Sequence, residues 1–202
     1  TLLNTLDDLH DAVAHSLAAY GLPARTLDEV RRFVGNGIRL LIERSVPEGC
    51  PDDITNSVFE EFKNYYGIHC NDKTKPYDGI PELLRQLKSC DIPCAIVSNK
   101  ADFAVKTLAR DYFDGLCAVA IGERDGIRKK PAPDSVFEAM ALLDAKKPVY
   151  VGDSEVDIAT ARAAGIPCIS VNWGFRSRNE LISAGAEIIC ESTAELLSAL
   201  EA

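Results

Sequence analysis

From residue 76 onward the chain alternates short apolar runs with amphipathic stretches, and this alternation restricts its folding more than any other feature. Apolar runs at 93–98, 116–121, 148–152 and 167–171, with a weaker one at 187–190, have the length of strands buried on both faces. Helices are predicted at 80–89, 101–110, 134–144, 155–164 and 193–201. The punctuation agrees: Pro81 follows Gly79 at one helix start, and Gly165 lies just past one helix end. Strand–helix alternation of this kind builds a parallel sheet with helices on both faces, so the expected core is a doubly wound α/β fold.

Residues 5–75 read differently. Leu6, Leu9, Val13, Leu17 and Tyr20 recur at helical spacing, Thr5 with Asp8 has the form of a capping box, and Gly21 with Pro23 marks the end. A second helix is expected over Ile38 to Val46, and a third with Val58, Phe62, Tyr65 and Tyr66 on one side. Gly35-Asn36-Gly37 lies between the first two helices and reads as a turn. The polar, proline-marked segment Lys73-Thr74-Lys75-Pro76 is the natural boundary. The expected organisation is a small α-helical subdomain at 5–75, with 1–4 and 76–202 forming the α/β core.

The formal charge is −9, and the acidic excess is spread over both halves of the chain. A phosphate backbone needs clustered basic charge, so nucleic acid is excluded as a partner, and anionic membranes are disfavoured by the same argument. Residues 1–11 hold three Asp and no Lys or Arg, unlike the start of a signal peptide. The seven cysteines form no Cys-x-x-Cys pair and mostly sit in apolar runs, which reads as buried thiols in a reducing compartment. The three histidines lack zinc spacing. A cytoplasmic protein is expected, with its oligomeric state left open by the sequence.

In parallel sheets ligands sit beyond the carboxyl ends of the strands. The run ending at Val97 is followed by Ser98-Asn99-Lys100 and then a helix. A hydroxyl and backbone N–H groups there suit phosphate oxygens, although Ser98 and Asn99 also suit plain helix capping. Val149-Tyr150-Val151-Gly152 leads into Asp153-Ser154, with Asp157 one helical turn on. Two such carboxylates suit Mg²⁺, or else a capping aspartate and a solvated one. Arg128-Lys129-Lys130-Pro131-Ala132-Pro133 is the densest basic spot of an acidic chain. A lysine held there could pair with a phosphate and a carboxylate together, and three solvated charges are the simpler alternative.

Taken together, Ser at a strand end, then Lys-Pro-x-Pro, then Gly-Asp-Ser-x-x-x-Asp resembles the haloacid dehalogenase superfamily over almost the whole chain. Gly35-Asn36-Gly37 in a helical insert, and Tyr77-Asp78-Gly79 leading into the core, are similar to its phosphoglycolate phosphatase branch. The resemblance implies Mg²⁺-dependent hydrolysis of a small phosphorylated substrate through an aspartyl phosphate. It implies that Ser98 binds the transferring phosphoryl group, with Asn99 beside it, that Lys130 steadies nucleophile and phosphate, that Asp153 ligates Mg²⁺ and that Asp157 supports the site. The helical insert would be a cap closing over substrate. Arg39, shortly after Gly35-Asn36-Gly37, suits either a substrate carboxylate or solvent.

One departure matters. The family's first motif is Asp-x-Asp-x-Thr at the end of the first core strand, and the chain begins at what resembles its final residue, Thr1. The nucleophile is therefore expected to be missing, with a central strand absent between those at 93–98 and 148–152. Asp7 and Asp8 lie on a helix and are no substitute. Without its nucleophile the chain is expected to be inactive. Alternatives are a non-catalytic phosphate- or metabolite-binding regulator on the same fold, or a phosphomutase, phosphonate hydrolase or dehalogenase.

Overall fold

A computed structural model describes residues 1–201 and divides the chain into two units, Leu3–Lys75 and Thr1–Leu2 joined by the segment from Pro76 onward. In the first unit, helices α1 (Leu6–Ala19), α2 (Leu27–Phe33), α3 (Ile38–Ser45) and α4 (Asp52–His69) surround a core of Ala12, Val13, Leu17, Val30, Ile42, Val58 and Phe62. The apolar spacing of α1 and α4 places these side chains on facing stripes, and their burial from water holds the unit together. Leu3–Asn4 (β1) and Lys75–Pro76 (β2) form a separate two-stranded sheet.

The capping box expected at Thr5 does not form. Asp8 is too short to reach back as a Glu does, and its carboxylate is used elsewhere. Buried at 2% exposure, it accepts the Lys73 N–H at 2.9 Å, the Thr74 N–H at 2.8 Å and the Thr74 hydroxyl at 2.7 Å. The unit's first helix is thus tied to its last residues. Helix α2, which the sequence reading passed over, opens with a true box: Thr26 accepts the Glu29 N–H while the Glu29 carboxylate accepts the Thr26 N–H.

The second unit contains α5 (Ile80–Ser89), β3 (Ala95–Ala101), α6 (Asp102–Phe113), β4 (Val119–Glu123), α7 (Asp134–Leu142), β5 (Tyr150–Gly152), α8 (Glu155–Ala164), β6 (Cys168–Val171), α9 (Arg178–Ser183), β7 (Ile188–Cys190) and α10 (Thr193–Glu201). All strand pairs here are parallel and alternate with helices, as the pattern requires. They make two sheets, β3–β4 and β5–β6–β7, and β3 and β5 are not paired with each other. The strand expected from residue 116 begins at Val119, because Leu116 is drawn into a turn by its N–H bond to the Phe113 carbonyl. Gly79 adopts a left-handed conformation ahead of Pro81, and Gly165 does the same at the end of α8.

The cysteines correct another expectation. All seven are free, but only Cys190 is buried, Cys90 is exposed and the rest are half-buried. Burial pushes the Cys117 thiol up to about 12 and Cys168 to about 11, so neither is a reactive thiolate at neutral pH. No described helix is long and apolar enough to cross a membrane.

Candidate active site

The candidate site is built at the carboxyl end of β5. Tyr150, Val151 and Gly152 pair with Cys168, Ile169 and Ser170, and the chain then turns through Asp153 and Ser154 into α8. A Cβ at Gly152 would overlap the Asp157 side chain, so glycine is what lets Asp157 fold back against the strand end. Asp153 and Asp157 are each 5% exposed. Ser154 occupies the N-cap position of α8 without a side-chain cap bond, and the burial of both aspartates excludes the solvated alternative.

Asp157 is fully engaged. Its Oδ2 accepts the Ser154 hydroxyl at 2.6 Å and the Asp153 N–H at 3.2 Å. Its Oδ1 accepts the Lys130 ammonium at 2.8 Å and the Tyr150 hydroxyl at 3.1 Å. The Lys130 Nζ also lies 3.1 Å from the Tyr150 hydroxyl, which closes a three-membered polar ring. Burial works against the Lys130 ammonium, but the Asp157 carboxylate outweighs it and holds the pKa above the usual lysine range. Burial likewise pushes the Tyr150 phenol up, so it remains a neutral donor.

Asn99 fixes the lysine's backbone. It accepts the Lys130 N–H at 2.8 Å and donates to the Lys130 carbonyl at 3.0 Å, and so joins the end of β3 to the basic loop. Lys130 is therefore unlike its neighbours, since Arg128 pairs with Asp134 and Lys129 with Glu123 at the surface. Ser98 does not cap α6, whose start has no side-chain cap. Its hydroxyl accepts the Lys100 N–H at 3.1 Å, and the bonds to Lys130 belong to the adjacent Asn99.

Asp153 faces the other way. Its Oδ1 lies 2.7 Å from the Thr1 amino group and also meets the Thr1 hydroxyl, while its Oδ2 accepts the Phe175 N–H at 2.9 Å. The Trp173 indole donates to the Thr1 carbonyl at 3.0 Å. Burial alone would raise the Asp153 carboxyl, but the Thr1 ammonium and hydroxyl and the Phe175 N–H hold it well below the usual range. Tyr77, half-buried with Asp153 acting on it, is raised.

Thr1, Ser98, Asn99, Lys130, Asp153 and Asp157 thus share one end of the sheet unit. Gly35, Asn36, Gly37 and Arg39 belong to the helical unit, with Gly35 and Gly37 at positive φ before α3. Arg39 is held there by Glu43 and Asn56, each at 2.7 Å, and its guanidinium lies 5.3 Å from the Phe59 ring centroid. The Lys130 ammonium pairs with Asp157 and not with Asp153. Sequence reading missed Tyr150, Ser154, Trp173, Gly174, Phe175 and Arg176. A lone aromatic hydroxyl in the Val-Tyr-Val-Gly strand was the available signal for Tyr150, since a buried tyrosine needs a partner.

Among the described residues no three His, Cys, Asp or Glu side chains converge into an all-protein metal cage. The donors fit instead a hard cation held by Asp153, with substrate oxygens and water completing its shell. Lys130, Asp153 and Asp157 together carry one negative charge, which would repel a phosphate unless further positive charge entered.

The model for "Haloacid dehalogenase-like hydrolase" matches residues 1–171. A phosphoglycolate phosphatase of Mesorhizobium japonicum is 34% identical over 187 residues, covering 89% of this chain and 82% of that protein. One of Pseudomonas savastanoi pv. phaseolicola is 28% identical over 205 residues, covering 98% of this chain and 75% of that protein. A crystal structure from Lactobacillus delbrueckii subsp. bulgaricus superposes with a TM-score of 0.93 at 34% identity, covering 99% of this chain and 94% of that one. With its parallel strands, its polar ring at their carboxyl ends and a family match across most of its length, the chain belongs to the haloacid dehalogenase-like hydrolases.

Proposed function

We propose that the full-length parent of this chain is a Mg²⁺-dependent phosphatase of small phosphorylated metabolites, with phosphoglycolate as the leading substrate, and that it acts in the cytoplasm. The observation that carries this reading is the Lys130 ammonium, pinned by Asp157, Tyr150 and Asn99 on the same strand-end surface as Asp153. A cation held this rigidly loses little on meeting a phosphoryl group, so it can stabilise charge as that charge develops.

In this reading Ser98 donates its hydroxyl to a phosphoryl oxygen. Lys130 offsets charge on both the phosphoryl group and the attacking carboxylate. Asp153 is the residue that would hold Mg²⁺, and when bound the ion supplies the positive charge that the three side chains lack. No side chain of the site is left to act as nucleophile, because Asp157 is paired with Lys130 and Asp153 is committed to the cation. The family resemblance supplies that carboxylate from a strand ahead of Thr1. β3 and β5 each pair on one side only, which supports a strand between them. By the same resemblance residues 5–75 take the role of a cap subdomain, and Gly35, Asn36, Gly37 and Arg39 are its candidate substrate-binding residues.

The test compares residues 1–202 with the same chain extended by an Asp-bearing N-terminal strand, screened with Mg²⁺ over small phosphorylated acids and sugars. The extended protein is expected to turn over phosphoglycolate among its best substrates, and residues 1–202 are expected to be inactive. Mg²⁺-dependent turnover by residues 1–202, or none by the extended protein, would overturn the assignment.

A further inference from the structure

The segment 173–176 packs against Asp153 on the side of its Oδ2, and neither the family motifs nor the polar ring accounts for it. Trp173 donates to the Thr1 carbonyl at 3.0 Å, and the Phe175 N–H binds Asp153 Oδ2 at 2.9 Å. Between them, a Cβ at Gly174 would overlap the Cβ, Cγ and Oδ2 atoms of Asp153. Gly174 has no positive φ, so it is the space and not the backbone conformation that demands glycine. Arg176, 6% exposed, then anchors the segment through two bonds to Glu155, Nε at 2.7 Å and Nη2 at 2.9 Å. Glu155 opens α8, two residues after Asp153. A two-pronged guanidinium–carboxylate pair fixes direction as well as distance.

We propose that Gly174 and Arg176 are positioning residues that hold Asp153 Oδ2 on the Phe175 amide, so that Oδ1, the oxygen met by the Thr1 amino group and hydroxyl in this structure, is the one turned in a fixed direction toward a divalent cation. This rests on the phosphatase reading above for the presence of the cation. Phosphate contacts lie with Ser98 and Lys130, so disturbing the segment affects metal affinity and leaves substrate affinity at saturating metal nearly unchanged. Outer partners of metal ligands commonly govern affinity in this way.

The test uses the extended enzyme carrying its nucleophile strand. Mn²⁺ binding is read by electron paramagnetic resonance and Mg²⁺ by competition, for wild type, Gly174→Ala, Arg176→Met and Arg176→Lys, with folding checked by circular dichroism. Gly174→Ala is expected to weaken Mn²⁺ and Mg²⁺ by about tenfold or more. Arg176→Met is expected to weaken them by several-fold, and Arg176→Lys, which keeps the charge but loses the fork, to stay nearer Met than wild type. The KM for substrate at saturating Mg²⁺ should remain within about twofold. Arg176→Met and Arg176→Lys serve as the decisive pair should Gly174→Ala not fold. Folded variants with wild-type affinity, or full restoration by lysine, would overturn the positioning role while leaving the phosphatase reading intact. Failure of the wild-type enzyme to bind either ion would overturn both.

Discussion

In the helical unit Ala12, Leu17, Val30, Ile42, Val58 and Phe62 are all 0% exposed, whereas every residue of β3 in the α/β unit stays partly exposed. The contrast continues within the α/β unit itself. β6, paired on both sides, buries Ile169, Ser170 and Val171, while β5, paired only with β6, leaves Tyr150 and Val151 half-exposed. Between β5 and β6 burial follows pairing, since a strand with one neighbour loses the lateral cover that a central strand enjoys, although β4, also with one neighbour, still buries Ile121 and Gly122. The helical unit closes on apolar contacts and one buried carboxylate. The strand ends of the α/β unit are held by charged side chains that satisfy one another, and this is also where the chemistry is concentrated.

The largest expected effect falls on the polar ring. Lys130→Ala in the extended enzyme should lower turnover by about 10²- to 10³-fold, measured as kcat on phosphoglycolate. A loss under about tenfold would remove Lys130 from the charge-stabilising role. In the helical unit, Phe62→Ala should cost about 3–5 kcal/mol in urea unfolding. In residues 1–202, Val97→Ala in half-exposed β3 should cost less than about 1.5 kcal/mol, and equal costs would break the comparison. Asp8→Ala removes the acceptor of the Lys73 and Thr74 N–H groups and should cost about 1–3 kcal/mol.

The smallest effect concerns pH. In residues 1–202 the Asp153 carboxyl is held below its unfolded value, chiefly by the Thr1 amino group, so there its contribution to stability is fully present above the ordinary carboxylate range. That contribution is lost as the pH falls below about 4 and the carboxylate begins to bind a proton. Asp153→Asn should flatten this part of the stability profile, measured by urea midpoints across acidic pH. An unchanged slope would show that the carboxylate's partners contribute nothing to the fold.

Most of the architecture was legible because long periodic segments report burial directly. The start of α5 and the end of α8 matched their glycine and proline signals. The short helices α2 and α9 escaped because seven and six residues carry too little periodicity, although each opens with a capping box, Thr26–Glu29 and Ser177–Glu180. The box read at Thr5 failed because Asp8 found stronger partners sixty-five residues away, which no local pattern reveals. Ser98, Lys130 and Asp153 could be named from motif spacing. Tyr150 and Arg176 could not, since their parts depend on which distant side chain each one meets.

The most direct measurement is a crystal structure of the extended enzyme with Mg²⁺ and inorganic phosphate or tungstate. The expected result places the anion against the Ser98 hydroxyl and the Lys130 ammonium, with the cation on Asp153 beside it. An anion bound away from Lys130, or a cation that avoids Asp153, would contradict the shared phosphate-gripping site.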